Sequence, residues 1–263
     1  MQNPERVCFV LLLSTVAVSI KANGPSRSLP ATPSSGLAYY EPNVSRIACP
    51  VYADAETPAK FIPPLQKKGD LANLLELEGL TRGAEVGVQM GNFAAEMLSR
   101  WKSCTSYLLV DLWAHQANYF DKANVKTGTQ LQFKQVALNK LKPYEGKLHV
   151  CHNFSTVCAN TIPDASLDFV YVDARHDYKG ALEDLKHYWP KLVRGGIMAG
   201  HDYLYSAEVP HSDYSQNGDG SRDPAGRAAK GAVDDFFTQC VRRQVVVTYR
   251  ERTTTAVSWM VRK

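Results

Sequence analysis

Three aspartates stand where this sequence could do chemistry: Asp111, Asp173 and Asp202 each end an apolar run with the length of a buried strand. A carboxylate in that position is costly to desolvate unless something pairs with it. Asp173 is followed three residues later by His176, in the stretch YVDARHDY. Asp173 could simply cap the next helix, with His176 packed against it. The alternative is that Asp173 holds a metal or a substrate and that His176, which titrates near neutral pH, accepts a proton.

A glycine pattern precedes the first of these aspartates. The stretch AEVGVQMGNF places Gly87 and Gly91 after Glu85 in an E-x-G-x-x-x-G arrangement. Glycines let the backbone approach a ligand closely, but this is not the G-x-G-x-x-G pattern of dinucleotide-binding enzymes. Glu85 suits a ligand with a cationic amino-acid tail, and Asp111 can accept hydrogen bonds from ribose hydroxyls. The pattern therefore predicts an adenosyl ligand without phosphates.

The elements that must position these residues alternate between strand and helix. The predicted strands are 83–88, 106–113, 147–152, 167–174, 195–202, 244–250 and 255–261, and the predicted helices are 65–80, 91–101, 128–141, 178–189 and 230–240. Such alternation predicts an α/β fold with a doubly wound, mostly parallel sheet. The turn between the last two strands is too short for a crossover helix, so these strands should be antiparallel. Ligands bind such sheets at the carboxyl ends of the strands, where all three aspartates fall.

Composition limits the classes of function. The chain has 263 residues and a formal net charge of +4, with Lys and Arg spread along its length. The absence of a basic stripe argues against a nucleic-acid partner. Residues 65–263 are long enough for one α/β domain with its own core.

The N-terminal region differs from the rest. Residues 7–20 form an apolar run after Arg6, too short for a membrane span and suited to a signal peptide over residues 1–24. Residues 25–64 are predicted to form a flexible linker or arm. The sequence leaves open secretion, a short type II anchor, and a two-part signal into an organelle of the plastid type. No stable membrane span is expected after processing.

Six cysteines are present, and Cys8 falls in the presumed signal. The remaining five are odd in number and include no C-x-x-C pair. This predicts neither a disulfide framework nor a zinc site, and most of the five are expected to be buried small hydrophobic residues.

Four stretches, EVGVQMG, LLVDLW, FVYVDARHDY and GGIMAGHDY, together resemble a class I S-adenosylmethionine-dependent methyltransferase of the macrocin-O-methyltransferase-like family. The resemblance covers about residues 65–263. It implies a seven-stranded Rossmann-like methyltransferase sheet whose last strand is antiparallel, with residues 152–155 beside the adenine. The cofactor-binding residues that it implies are Glu85, Gly87, Val88, Gln89, Gly91, Asp111, Leu112, Ser155 and Asp173.

The resemblance also implies a metal. Related small-molecule O-methyltransferases bind a divalent cation through acids that end the fourth and fifth strands, here Asp173 and Asp202. His201 takes the place of the acid or amide that often supplies a third ligand. Mg²⁺ prefers oxygen ligands, whereas a histidine shifts the preference towards a transition metal. In related sugar O-methyltransferases a D-x-x-H unit places a histidine beside the metal, which would make His176 the base. Asp202 could instead only bond to loop backbone.

These observations predict an enzyme that transfers a methyl group from S-adenosylmethionine to the oxygen of a small hydroxylated acceptor, with Mg²⁺ or another divalent metal. Sugar, phenol and polyketide hydroxyls all remain compatible, and an oligomer is compatible too. Residues 203–229 are expected to form a lid over the acceptor. Two alternatives stay open: a non-catalytic secreted binding protein on the same scaffold, and an iron-dependent hydroxylase-like relative.

Overall fold

The structure is a computed structural model that describes residues 46–52, 61–63, 65–67, 69–250 and 257–263, without the side chains of residues 249–250. These residues belong to one folded unit, Ser45–Lys263. The predicted signal peptide and most of the predicted linker lie outside the described residues. Within the described part, no helix is both long and apolar enough to cross a bilayer.

Among the described residues, one seven-stranded sheet forms the centre of the unit. Its strands are β1 (Arg82–Val86), β2 (Ser106–Asp111), β3 (Leu148–His152), β4 (Leu167–Val172), β5 (Leu192–Gly200), β6 (Val246–Arg250) and β7 (Val257–Arg262). Their order across the sheet is β3-β2-β1-β4-β5-β7-β6. The first five strands are mutually parallel, whereas β7 is antiparallel to both β5 and β6. This confirms the predicted doubly wound sheet with an antiparallel last strand.

Helices cover both faces of the sheet. They are α1 (Gly69–Leu77), α2 (Asn92–Arg100), α3 (Thr127–Leu141), α4 (Ser155–Ala159), α5 (Tyr178–Tyr188) and α6 (Ala228–Asp235). Because side chains alternate along a strand, β4 supplies both cores. Val170 and Val172 pack with α4, α5 and α6, whereas Phe169 and Tyr171 pack with α1, α2 and α3. All six residues of β4 are buried, as expected for a strand covered on both faces.

The topological switch point lies between β1 and β4, where the chain reverses its direction across the sheet. Two loops meet there. Gly87, after β1, has a φ of 95°, and a Cβ on it would lie 1.9 Å from the carbonyl oxygen of Asp173, after β4. Only glycine fits this contact. The crevice at the carboxyl ends of β1 and β4 is therefore where a ligand is expected.

The prediction about cysteines was wrong. Disulfides join Cys49 to Cys240 and Cys151 to Cys158, and among the described residues only Cys104 is a free thiol, buried in the core. An odd count excludes complete pairing but not two bridges with one cysteine left over. The pairs are 191 and 7 residues apart along the chain. Neither separation is a recognisable signature, because only the fold brings the sulfur atoms together.

Part of the predicted arm is bound to the folded core. The Cys49–Cys240 disulfide fastens residues 46–52 to the C-terminal helical region, and the amide of Ile47 donates to Gln239 Oε1 at 3.1 Å. That region differs from the single predicted helix over 230–240, because α6 continues as a π-helix, Phe236–Val241. The short helix α4 was not predicted either.

Candidate functional site

A cavity of about 1070 Å³ opens at the carboxyl ends of the central parallel strands. This volume can hold a drug-sized ligand. The predicted cofactor residues that line it are Glu85, Gly87, Val88, Gln89, Asp111, Leu112, Ser155 and Asp173, and His176 lines it as well. The structure thus brings together side chains that are far apart in the sequence.

Gly91 is the predicted cofactor residue that does not line this cavity. It precedes α2 with a φ of 68°, and a Cβ there would lie 3.2 Å from side-chain atoms of Ala137 and Leu141 in α3. A glycine is therefore needed for the left-handed backbone and for close packing between the helices. Its predicted contact with a ligand is not supported by this geometry.

Glu85 places a carboxylate at the floor of the cavity. The residue lies in β1 and is only 1% exposed. Tyr107 donates its hydroxyl to Glu85 Oε2 at 3.2 Å. Burial, together with the charge of Glu85, raises the pKa of Tyr107 well above its usual value, so this phenol stays a donor. A buried carboxylate in this setting suits a cationic ligand group, since a compensating charge removes much of the cost of burial.

Asp111 organises the glycine loop through its backbone. Its Oδ2 accepts hydrogen bonds from the amides of Val88 and Gln89, both at 2.8 Å, and its Oδ1 accepts one from the amide of Trp113 at 2.7 Å. Gln89 and Trp113 have φ angles of 50° and 39°. A positive φ is uncommon outside glycine, and such conformations cluster at functional sites. Asp111 thus holds two strained loops and keeps one lone pair on Oδ1 for a ligand hydroxyl.

His176 is held between two carboxylates. Its Nε2 lies 3.2 Å from Asp173 Oδ1 and 3.4 Å from Asp202 Oδ2. Burial alone would lower the pKa of His176, but the charge of Asp202, the hydrogen bond that His176 donates to Asp173 and the charge of Asp173 raise it to about 9. In this arrangement the imidazole is a cation that bridges two acids, and it gives up its proton only when their charge is compensated.

Tyr119 fixes the other ring nitrogen. The Tyr119 hydroxyl lies 3.0 Å from His176 Nδ1 and donates to the carbonyl of Ala174 at 3.2 Å. Because the hydroxyl has one proton, its oxygen must accept from Nδ1–H. The proton that His176 can exchange is therefore the one on Nε2, beside the two carboxylates. Nothing in the spacing of the sequence distinguishes Tyr119.

The three residues predicted as metal ligands, Asp173, His201 and Asp202, lie close together, with one ligand atom from each within 4.8 Å of the others. We call these three residues the cluster. His201 Nδ1 lies 3.3 Å from Asp202 Oδ1 and 3.8 Å from Asp173 Oδ1. Burial raises the pKa of Asp202, but the charge of His176 and the hydrogen bond from His201 outweigh it and hold this pKa well below its usual range. Asp202 has a φ of 46°, so backbone strain is present here too. Two carboxylates and an imidazole suit a divalent cation.

The three cluster residues are not equally placed. Asp173 lines the large cavity, whereas His201 lines a small pocket of about 10 Å³ that also touches His176. Asp202 lines neither of these two pockets. Of the three cluster residues, only Asp173 therefore lines the large cavity, next to His176.

Arg175, inside the D-x-x-H unit, was missed by the sequence analysis. Its guanidinium donates to Asp177 at 2.5 Å, to Gln116 Oε1 at 3.2 Å and to the carbonyl of Asn118 at 3.3 Å. It also lies over the ring of Tyr119, 4.6 Å from its centroid. Arg175 thus joins the start of α5 to the loop after β2. The only signal in the sequence was the position of Arg175 between Asp173 and His176. That position does not predict which residues Arg175 contacts.

The polar loop of residues 203–227 supplies one wall near His176. The ring of Tyr214 lies 5.0 Å from that of His176, and its hydroxyl donates to Asp121 at 2.5 Å. Lys179 pairs with Asp219 at 2.7 Å, and Gly218 and Asp219 line the cavity. Part of the loop thus borders the cavity, and its role as a lid over an acceptor stays a prediction.

Comparison with known proteins agrees with this geometry. Residues 84–203 match the family model described as Methyltransferase domain. The matched stretch contains the glycine loop, Asp111, the D-x-x-H unit, His201 and Asp202. No significant match was found among curated proteins.

Several solved structures share the fold. An O-methyltransferase from Bacillus cereus in complex with SAH superposes with a TM-score of 0.50 at 14% identity, over 80% of this chain and 86% of that one. A candidate O-methyltransferase from Klebsiella pneumoniae gives 0.53 at 15% identity, over 79% and 84%. A candidate rRNA methylase from Clostridium thermocellum gives 0.50 at 11% identity, over 77% and 100%.

At these identities the similarity to solved structures concerns the Rossmann-like methyltransferase fold only. It does not identify the methyl acceptor. Nor does the family model distinguish the macrocin-O-methyltransferase-like group. The family match over residues 84–203 and the fold together support a class I S-adenosylmethionine-dependent methyltransferase.

Proposed function

We propose that this chain transfers a methyl group from S-adenosylmethionine to the oxygen of a small hydroxylated acceptor, with a divalent metal held by Asp173, His201 and Asp202. The observation that carries the proposal is that one cavity of about 1070 Å³ is lined by Glu85, by Asp111 and by the Asp173–His176 pair. The donor residues and the residues that can handle a proton therefore face the same space. The finer resemblance to the macrocin-O-methyltransferase-like family belongs to this proposal.

The donor half of the cavity fits a cationic nucleoside. S-adenosylmethionine, when bound, supplies a methyl group on a positively charged sulfur that is already activated for transfer. Glu85 would hold the ammonium of its amino-acid part, because a buried carboxylate gains most from a positive partner. Asp111 would accept from one ribose hydroxyl while it keeps the loop of Val88 and Gln89 in shape. Ser155 and its neighbours would border the adenine.

The acceptor half fits a hydroxyl that must lose a proton. A divalent metal held there would act as a Lewis acid towards the acceptor oxygen. The donor set supports this, although the His201 nitrogen favours Mn²⁺ or Zn²⁺ over the Mg²⁺ that the resemblance implies. His176 would take the acceptor proton at Nε2, with Nδ1 fixed by Tyr119. Holding the donor and the acceptor in one cavity supplies proximity, which contributes strongly to such transfers.

The cellular compartment of the chain is also part of this proposal. The two disulfides among the described residues are typical of a protein from an oxidising environment. They support the prediction that the N-terminal segment directs the chain into the secretory pathway, whether it is then secreted, retained or passed to an organelle. Three points remain predictions: that the acceptor is a small molecule, that the chain binds no nucleic acid, and that it can form an oligomer.

Methyl transfer from isotopically labelled S-adenosylmethionine tests the reaction. The purified full-length chain is assayed with sugars, phenols, polyketide alcohols, amines and thiols, with Mn²⁺, Zn²⁺, Mg²⁺ or a chelator. We expect label only in hydroxylated acceptors and a loss of transfer with the chelator. Label in amines or thiols alone would contradict O-transfer, and full activity in chelator would contradict the metal. Donor binding without transfer to any class would favour the non-catalytic alternative.

A further inference from the structure

One wall of the cavity is enclosed by a disulfide. The cavity-lining residues of this wall are Asn153, Phe154, Ser155 and Thr156. All four lie between Cys151, in β3, and Cys158, in α4, which are bonded to each other. We call residues 152–157 the disulfide wall.

Apart from the disulfide, the wall is held by an edge strand, a short helix and a few separate hydrogen bonds. β3 is the edge strand of the sheet, paired on one side with β2 only, and Val150 in it is 44% exposed. α4 has five residues, and so short a helix is not stable on its own. The Tyr188 hydroxyl donates to the carbonyl of Ser155 at 2.9 Å, and Ser155 also bonds to the side chain of Asp184. At the other end of the wall, His152 Nε2 lies 2.9 Å from the carbonyl oxygen of Leu112. The disulfide is thus the covalent link that fixes both ends of the wall.

We infer that the Cys151–Cys158 disulfide positions the cofactor wall, so that S-adenosylmethionine binds well to the oxidised chain and poorly to the reduced one. The inference rests on the proposed function, since it names the ligand of this cavity. It adds a covalent positioning element, and a dependence on redox state, that the methyl-transfer proposal does not require.

The reducing step is ordinary thiol–disulfide exchange. Cys158 is buried, whereas Cys151 is only half-buried, so a reducing thiolate would attack the sulfur of Cys151 and release Cys158 as a thiolate. A dithiol reductant supplies two electrons and two protons. It becomes a disulfide itself, and the chain gains two thiols. Oxidation by a disulfide reverses the exchange.

The chain provides its own control. The Cys49–Cys240 disulfide fastens residues 46–52 to the π-helix, and neither cysteine lines the cavity. Removing the Cys49–Cys240 disulfide takes away one cross-link, as removing the Cys151–Cys158 disulfide does, but it leaves the disulfide wall unchanged. Cys104 remains a buried thiol in both cases.

Titration calorimetry with S-adenosylhomocysteine, a stable product of methyl transfer, tests the inference. The Cys151→Ser/Cys158→Ser variant should bind at least tenfold more weakly than the wild type. The Cys49→Ser/Cys240→Ser variant should bind within about twofold of the wild type. Circular dichroism verifies that each variant is folded at the temperature of the titration.

A second experiment tests the inference even if the Cys151→Ser/Cys158→Ser variant folds poorly. In the Cys49→Ser/Cys240→Ser background, dithiothreitol can act on the Cys151–Cys158 disulfide alone among the described cysteines. Affinity should fall on reduction and return after reoxidation. Unchanged affinity in both experiments would overturn the inference and leave the proposed function standing. Failure of the oxidised wild type to bind S-adenosylhomocysteine or S-adenosylmethionine would remove the proposed function, and the inference with it.

Discussion

His176 Nε2 lies 3.2 Å from Asp173 Oδ1, and both side chains line the cavity that Glu85 and Asp111 also line. The D-x-x-H spacing of the sequence thus becomes a direct contact, since Asp173 follows β4 and His176 comes just before α5. The second carboxylate, Asp202, reaches the same nitrogen from the end of β5 at 3.4 Å.

The ionisation of His176 can be measured directly. NMR titration of the histidine side chains should show one imidazole with a pKa near 9 in the metal-free chain, because two carboxylates stabilise its charge. Asp202→Asn should lower that pKa. Asp219→Asn, which removes an exposed carboxylate of the loop of residues 203–227, should leave the pKa of His176 unchanged. A His176 pKa near 6.5 in the wild type would contradict the ion-pair arrangement.

The raised pKa of His176 also predicts how stability depends on pH. A raised pKa in the folded state adds stability that is complete below the unfolded value, near 6.5, and is lost as pH rises through about 9. A pKa that is higher by one in the folded than in the unfolded state corresponds to about 1.4 kcal/mol of stability. Urea unfolding of the metal-free chain between pH 6 and 10 should therefore show a decline that is absent in His176→Gln. A parallel decline in the two proteins would place its origin in other groups.

Metal binding should compete with the His176 proton. A divalent cation at Asp173 and Asp202 compensates the charge that raises the pKa of His176, so saturation with Zn²⁺ should lower that pKa about one unit or more in the NMR titration. His201→Ala should weaken Zn²⁺ affinity about tenfold or more, whereas His211→Ala, at an exposed loop position outside the cluster, should not. Equal affinity in the two variants would remove His201 from the metal site.

Asp184, buried in α5 beside the disulfide wall, provides a second pH test. Burial raises its pKa to about 7, although a hydrogen bond with Ser155 opposes this. Its ionisation therefore costs stability progressively as pH rises from about 4 through 7. Asp184→Asn should stabilise the chain by about 1–3 kcal/mol at pH 8 and by much less at pH 4. The control is Glu145→Gln, which removes an exposed carboxylate that is not among the causes of the raised pKa of Asp184. A destabilised Asp184→Asn at pH 8 would contradict the burial argument.

Two glycines with positive φ provide a matched pair. Gly87→Ala would place a Cβ 1.9 Å from the carbonyl oxygen of Asp173, whereas a Cβ at Gly79 meets nothing within 4 Å. Both carry the strain of a left-handed alanine, about 1–2 kcal/mol. Urea unfolding should show this loss for Gly79→Ala and a clearly larger loss for Gly87→Ala, with S-adenosylhomocysteine binding lost only in the latter. Similar losses of stability in the two variants would mean that the loops after β1 and β4 can move apart without cost.

Much of the fold could be predicted from the sequence because local pattern and topology agree. The apolar run of β4 and the regular alternation of strands with helices leave few arrangements of a parallel sheet. That topology alone brings Asp111 and Asp173 to one edge of the sheet. The short α4 and the π-helix carry no periodic signal of their own and depend on tertiary packing.

The contacts between residues of the site were harder to predict from the sequence. The requirement for glycine at Gly91 comes from α3, which is distant in sequence. The contacts of Tyr119 and Arg175 depend on how two loops fold over the strand ends. The disulfides required distances between cysteines, which a count cannot supply. The contact of Asp173 with His176 within one motif was therefore predictable, whereas contacts between residues of different loops were not.

The central claim is that the cavity binds the methyl donor. Titration calorimetry with S-adenosylmethionine should give micromolar binding to the oxidised full-length chain. Glu85→Gln keeps the size of the buried side chain but removes its charge, and it should weaken binding about tenfold or more. Asp164→Asn, which removes an exposed carboxylate paired with Lys191, is the control. Binding that is strong in the wild type and the control and weak in Glu85→Gln is the result that we predict. No binding to the wild type, or equal binding to all three proteins, would contradict it.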